Sequence, residues 1–216
     1  MARARALPAT RPADDGPRPS GRPRDAALDE AIILATRRRL VERGYSRLTL
    51  GDIAADAKVG RPTLYRRWST KFELVVDALD YGFRKQHDMY ELDLSGLEPR
   101  AAFVEVLRRL DPTYYNPDAM VLMGSFAGES SHTPELLEVL RKHAVEPRVE
   151  LVQSVLTRLQ HRRAVRDDID KCTVATLCFG SYLAAFYRGG SEVDVAESVA
   201  SVLWPTLERR PAPGQR

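Results

Sequence analysis

The chain has 216 residues, of which 44% are hydrophobic and 29% charged, with a net charge of +3. These proportions are ordinary for a soluble globular protein, and no stretch approaches the ~18 uninterrupted apolar residues of a membrane span. Two cysteines, Cys172 and Cys178, are too few for a disulfide framework and lack zinc-ligand spacing, so no metal site or cofactor is expected and a reducing cytoplasm fits.

Charge is unevenly spread. Residues 1–90 hold 18 Lys and Arg against 12 Asp and Glu, whereas residues 91–216 hold 15 against 18. A basic front suits a protein that meets a polyanion, although scattered solvated charges produce such an imbalance as well. The first residues carry arginines but no apolar h-region, and Asp14 and Asp15 interrupt any transit-peptide pattern.

Residues 1–24, built from Ala, Arg, Pro, Gly and Asp without an apolar period, read as a flexible basic arm. A helix is expected from Asp25, with Ile32, Ala35, Thr36, Leu40 and Val41 as its apolar stripe and Gly44 as its stop. Thr49 is placed to cap a second helix, with Asp52 three residues on and Ile53, Ala54 and Ala57 on the buried side. After Lys58-Val59-Gly60 a third helix is expected over 61–68. A fourth opens at Lys71, carries Phe72, Val75, Val76, Leu79 and Phe83, and is expected to run to about Met89.

Five further helices are expected over 99–110, 117–129, 134–162, 169–188 and 192–208, with a kink at Pro147 and a break at Gly189-Gly190. The fold class is therefore all-α, with about nine helices. Residues 25–71 form a helix-turn-helix unit, and 72–210 form a larger helical domain in which 72–89 is the connector.

On a helical wheel Trp68 lies about 40° from Leu64, so the two share an inward face. Pro62, Thr63 and Arg66 then lie on the outer edge, and Tyr65 and Arg67 on the flanks. Such an edge can reach bases while the flanks meet phosphates; Arg66 has the fork that guanine accepts, and the Thr63 methyl can meet thymine. Lys71 and the N-terminal amides of the Thr49 helix add phosphate partners. Each of Arg61, Arg66 and Arg67 taken alone is equally at home as a solvated surface charge. The order of capped helix, small turn, early proline and Thr-Leu-Tyr before two arginines and a tryptophan is more specific.

Residues 28–75 resemble the DNA-binding domain of TetR-family transcriptional regulators. The matching positions are Ile53-Ala54, Ala57-Lys58-Val59-Gly60, Thr63-Leu64-Tyr65, Arg67-Trp68 and Lys71, with Ile32, Ala35, Leu40 and Gly44-Tyr45 upstream. The resemblance implies that Arg61, Pro62, Thr63 and Arg66 face bases and that Thr49, Tyr65, Arg67 and Lys71 grip phosphates. This chain departs from the family pattern at Lys58, where a turn glycine is usual, at Gly60, where a serine caps, and at Arg67 and Trp68, where His and Phe are common. Gly21-Arg22-Pro23-Arg24 is similar to the core of an AT-hook, so Arg22 and Arg24 are candidates for the minor groove; a merely solubilising tail is the other reading.

The resemblance also implies a C-terminal domain that dimerises and encloses a ligand. Helices apolar on more than one side, around Val174, Leu177, Cys178 and Tyr182 and then Val195, Val199, Val202 and Leu203, are expected at a homodimer interface. Phe103, Leu107, Tyr114, Tyr115, Met120, Met123, Phe126 and Phe179 are the candidate ligand contacts, and an ordinary core is the competing reading. The expected function is a homodimeric repressor that binds a near-palindromic stretch of double-stranded DNA and is released by a small, mainly apolar effector. Two alternatives remain: a helix-turn-helix protein governed by a protein partner or by its abundance, and, remotely, a di-iron enzyme. The latter needs two Glu-x-x-His pairs and finds only Glu129 with His132, so no catalytic residue is assigned.

Overall fold

The computed structural model describes residues 25–84, 93–94, 96–114, 116–189 and 193–209. The expected arm, with Arg22 and Arg24, lies outside the described residues, as does Tyr115. The described residues form ten α-helices and a single isolated bridge pair, Val165 with Glu208. The fold is all-α, as the sequence pattern indicates.

Helix α1 (Ala26–Arg43) starts where the Asp25 carboxylate accepts the Leu28 N–H, and it stops at Gly44, whose φ of +71° is open to glycine at little cost. Helix α2 (Leu50–Asp56) is capped as expected, with the Asp52 N–H donating to Thr49 Oγ1 at 3.1 Å. The turn that follows passes through Lys58 at φ +54°, the left-handed conformation that its position predicts. Helix α3 (Arg61–Tyr65) is shorter than expected. Its last turn tightens because the Arg67 and Trp68 N–H groups both donate to Leu64 O. Thr70 caps α4 (Lys71–Arg84): its hydroxyl accepts the Glu73 N–H at 3.0 Å, and the Glu73 carboxylate accepts the Ser69 N–H at 2.7 Å.

Behind these lie α5 (Pro99–Arg109), α6 (Ala119–Glu129), α7 (Glu135–Leu140), α8 (Glu146–His161), α9 (Lys171–Tyr187) and α10 (Val195–Leu207). The kink assigned to Pro147 takes another form. A π turn, Arg141–Val145, joins α7 directly to α8, with the Glu146 N–H donating five residues back to Arg141 O. Pro147 has no N–H and its ring crowds the carbonyl four residues earlier, so a widened turn just before it relieves both problems.

Two apolar clusters hold the molecule. The front one joins Ile32, Leu40, Ile53, Leu64, Trp68 and Leu74 to Leu122 and Phe126 of α6 and Leu136 of α7. The rear one gathers Phe103, Leu107, Leu156, Cys178 and Trp204 from α5, α8, α9 and α10, with the Phe103 and Trp204 rings 5.8 Å apart. Because α6 and α7 contribute to the front core, the helix-turn-helix unit is packed onto the rear domain and does not hang from a linker.

Candidate nucleic-acid interface and regulatory cavity

Helix α3 turns two sides to two environments. Leu64 and Trp68 are buried in the front core, and the Trp68 indole N–H donates to Asp77 at 3.0 Å. Arg61, Pro62, Tyr65 and Arg66 are exposed and Thr63 is half-buried, so the outward edge matches the wheel. Thr49 is exposed at the start of α2. The Arg61 guanidinium lies along that same start: a Cβ added at Gly51 would stand 2.6 Å from Arg61 Nη2. Thr49, Arg61, Pro62, Tyr65 and Arg66 thus belong to one accessible surface of cations, hydroxyls and an aromatic ring.

Two expected phosphate ligands are placed differently. Arg67 has a side chain only 8% exposed; its guanidinium is bound to the Asp29 carboxylate and donates to Thr63 O at 3.2 Å. This corrects its expected role, because a guanidinium already paired and almost wholly out of water braces α3 against α1 and is not presented to solvent. Lys71 is half-buried, with Nζ donating to Tyr45 O at 3.1 Å and 4.2 Å from the centroid of the Tyr45 ring. An ammonium has three donors, so Lys71 retains capacity for a phosphate while being held in place.

A brace that the sequence did not reveal joins α1 to α2. Arg39 grips Asp56 through both arms of its fork, Nε to Oδ2 at 2.7 Å and Nη2 to Oδ1 at 2.8 Å. These hydrogen bonds, with the added charge of Arg38, hold the Asp56 carboxyl down at about 2 and push the Arg39 guanidinium upward. The two residues are 17 apart, so no helix-period rule links them; only the turn between helices does.

Between the front and the rear a narrow cavity of about 40 Å3 opens where α1, α4, α6, α7 and α8 meet. Met123 and Phe126 line it as expected, among Leu79, Leu122, Val139, Leu140 and other apolar side chains, with Arg37, Asn116 and Arg148 as its polar groups. The remaining candidates lie elsewhere. Phe103 and Leu107 are fully buried in the rear core, where Leu107 O accepts the Tyr182 hydroxyl at 2.6 Å. Phe179 is buried beneath Arg148, whose guanidinium carbon is 5.7 Å from the ring centroid. Tyr114 is exposed beside Arg109. Met120 faces a separate cleft near the end of α9. Aromatic and flexible residues identify an apolar interior; they do not locate a gap in it.

The paired helices α9 and α10 likewise divide the expected interface. Val174, Cys178 and Tyr182 point into the protomer core, and burial pushes the Cys178 thiol up to about 12. They are corrected from interface to core because α8 and α10 pack against α9 and Tyr182 is bonded to Leu107 O of α5. Leu177 and Val202 stand out, 53% and 71% exposed, with Val195, Val199 and Leu203 half-buried. A groove between the helices is lined by small residues, among them Ser181, Ala184, Ala185 and Ser198. Glu129 and His132 are separately engaged at a helix end, Glu129 with Ser46 and His132 Nδ1 with Ser131 Oγ at 3.0 Å.

Comparison with known proteins places this geometry. Residues 32–78 match the family model for bacterial regulatory proteins of the tetR family, and residues 98–202 match that for a tetracyclin repressor-like C-terminal domain. A DNA-binding transcriptional repressor TetR of Mycobacteroides abscessus is 31% identical over 146 residues, covering 65% of this chain and 72% of the relative. An uncharacterised HTH-type transcriptional regulator of Mycobacterium tuberculosis is 29% identical over 216 residues, covering 93% and 95%. The same fold recurs in a transcriptional regulator from Saccharomonospora viridis solved with choline, at TM-score 0.69 and 18% identity over 86% of this chain and 100% of that one. It recurs also in the flavonoid-responsive regulator FrrA, at TM-score 0.69 and 18% identity over 87% and 100%.

Proposed function

Since this chain belongs to the TetR family of transcriptional regulators, we propose that it is a homodimeric repressor, released from a near-palindromic operator by a small, mainly apolar effector. The reading is carried by the orientation of α3, whose buried Leu64 and Trp68 leave Pro62 and Arg66 exposed on the opposite edge. Arg61, Pro62, Thr63 and Arg66 read bases in the major groove, and Thr49, Tyr65 and Lys71 hold phosphates. Arg67 acts from behind by fixing the helix to Asp29. The exposed side of α9 and α10, around Leu177 and Val202, covers itself in a two-fold dimer that spaces two α3 helices for the half-sites.

Repression is supported by the relative from Mycobacteroides abscessus, a transcriptional repressor, and response to a small molecule by the choline-bound and flavonoid-responsive neighbours. The cavity of about 40 Å3 holds little more than a few waters, so its occupied state must be wider. A ligand stabilises that wider state only by its differential affinity for it. The narrowness of the cavity also favours the second reading, a regulator governed by a partner or by abundance.

Arg66→Ala tests the central assignment on operator DNA selected from a random pool. Loss of a bidentate guanine contact costs about 1–3 kcal/mol on the selected site, with a smaller loss on random DNA. Equal weakening on both would return Arg66 to a phosphate role.

A further inference from the structure

Gly51 stands in the first turn of α2, two residues after the Thr49 cap. It has no conformational reason to be glycine: it lies inside a helix, without the positive φ of Gly44 or Gly189, where alanine is the better helix former. What the missing side chain provides is room. A Cβ at position 51 would stand 2.6 Å from Arg61 Nη2, 3.2 Å from Cζ and 3.3 Å from Nε. The three nearest atoms all belong to one guanidinium group, far inside ordinary contact distance. A side chain at position 51 and Arg61 in its present place therefore exclude each other.

Arg61 is placed there by shape and not by pairing. It is exposed and makes no hydrogen bond or ion pair among the described residues. The carboxylate of the same turn, Asp52, accepts the Thr49 hydroxyl at 2.8 Å. A cation beside the start of a helix also meets the positive end of its dipole, so electrostatics does not hold Arg61 against α2. Pro62, next in sequence, crowds the Arg61 Cβ from the other side. The guanidinium thus keeps its donors for a partner outside the chain, and its approach to that partner is set by which directions are sterically open.

We propose that Gly51 is a positioning residue for base recognition: by leaving the path over α2 open, it sets the approach of the Arg61 fork to DNA, and with it the base chosen at one operator position. This rests on the base-reading role given to Arg61 above and adds a determinant on a different helix. A bidentate contact needs both arms of the planar fork aligned with one base edge, so a changed angle of approach changes which base is accepted. Gly51 needs no contact of its own with DNA for this. The group in its way is the far end of a flexible side chain, so a substitution at Gly51 displaces Arg61 at little cost to the fold. Specificity and stability separate at this position.

The test uses the full chain as wild type, Gly51→Ala, Arg61→Ala and the double variant. Each selects operator DNA from a random pool, and fluorescence anisotropy then measures its affinity for the wild-type site and for sites with each base replaced in turn. Arg61→Ala should lower discrimination at one position of each half-site by about fivefold or more. Gly51→Ala should change the preference at that same position by about threefold or more, with a urea midpoint equal to or above that of wild type. In the Arg61→Ala background, Gly51→Ala should have no further effect on selectivity. A G51A protein that selects the wild-type site with unchanged discrimination would overturn the proposal and leave base reading by Arg61 intact. An undiminished G51A effect in the R61A background would overturn it too, because the added Cβ would then act without Arg61. If R61A weakens every sequence alike, Arg61 holds a phosphate; its base-reading role falls, and this proposal with it.

Discussion

The front and rear of the molecule spend their apolar residues differently. In α1–α4 each helix has one buried side and one wet side, and three of the four start at a side-chain cap, Asp25, Thr49 or Thr70. In α5–α10 the interior of the protomer and its outer faces are built from the same residue types. Helix α9 buries Val174 and Cys178 yet exposes Leu177, a neighbour in sequence and equally apolar. In the front, polarity within the helix decides most of what is buried, with the half-exposed Leu34 and the fully buried Thr36 of α1 as exceptions; in the rear, the neighbouring helices decide.

Substituting one leucine from each region sharpens this contrast most. Leu64→Ala leaves a cavity where α3 meets the front core and should cost about 2–5 kcal/mol in urea unfolding, abolishing operator binding. Leu177→Ala removes an exposed group and should change the stability of the isolated fold by no more than about 0.5 kcal/mol. Similar losses at both sites would break the distinction.

The next largest effect concerns the rear alone. Val202→Asp places a charge on the outward side of α10 without touching the core. Sedimentation should move from dimer to monomer mass with the helical circular dichroism retained, and operator affinity should fall because the two half-sites are no longer engaged together. A variant that remains dimeric would place the interface elsewhere.

This division also explains what was legible beforehand. The outward edge of α3, the α2 cap and the inward Leu64 and Trp68 all follow from local spacing, because each depends on residues within a turn or two, and the left-handed turn at Lys58 from the glycine that the resembling family carries there. Arg67 escaped because its partner, Asp29, is 38 residues away and nothing in the α3 pattern indicates it. The Arg39–Asp56 clamp escaped for the same reason. In the rear, Val174, Cys178 and Tyr182 carry the same apolar signature as Leu177 and Val202, and only packing separates them. The cavity was half legible: Met123 and Phe126 were named, whereas Arg37, Asn116 and Arg148, which line it as well, were not.

The clamp makes the front sensitive to acid. The Arg39 fork holds the Asp56 carboxyl at about 2 in the folded chain, below its ordinary value of 3.8, so the folded state binds fewer protons. Its stabilising contribution is complete above the unfolded value and disappears as pH falls from about 4 through about 2. Asp56→Asn should remove that component, so that wild type and variant converge in urea midpoint below about pH 2 and separate above pH 4. Parallel curves across this window would mean that the clamp contributes nothing through ionisation.

The smallest expected effect is at the turn between α2 and α3, where Lys58 holds φ at +54°. A side chain in this region crowds its own carbonyl at a cost of roughly 1–2 kcal/mol, which glycine avoids. Glycine also loosens the unfolded chain, by roughly 0.5–1 kcal/mol, so the net gain from Lys58→Gly should be below about 1 kcal/mol. Lys58→Asn tolerates the same conformation with less freedom when unfolded and should match or slightly exceed it. Urea midpoints measured for the three proteins at one pH separate these terms. If both substitutions destabilise, the Lys58 side chain is making an interaction worth more than its backbone strain, and the turn is held by that contact as well as by its hydrogen bonds from Lys58 N–H to Ala55 O and from Val59 N–H to Ala54 O.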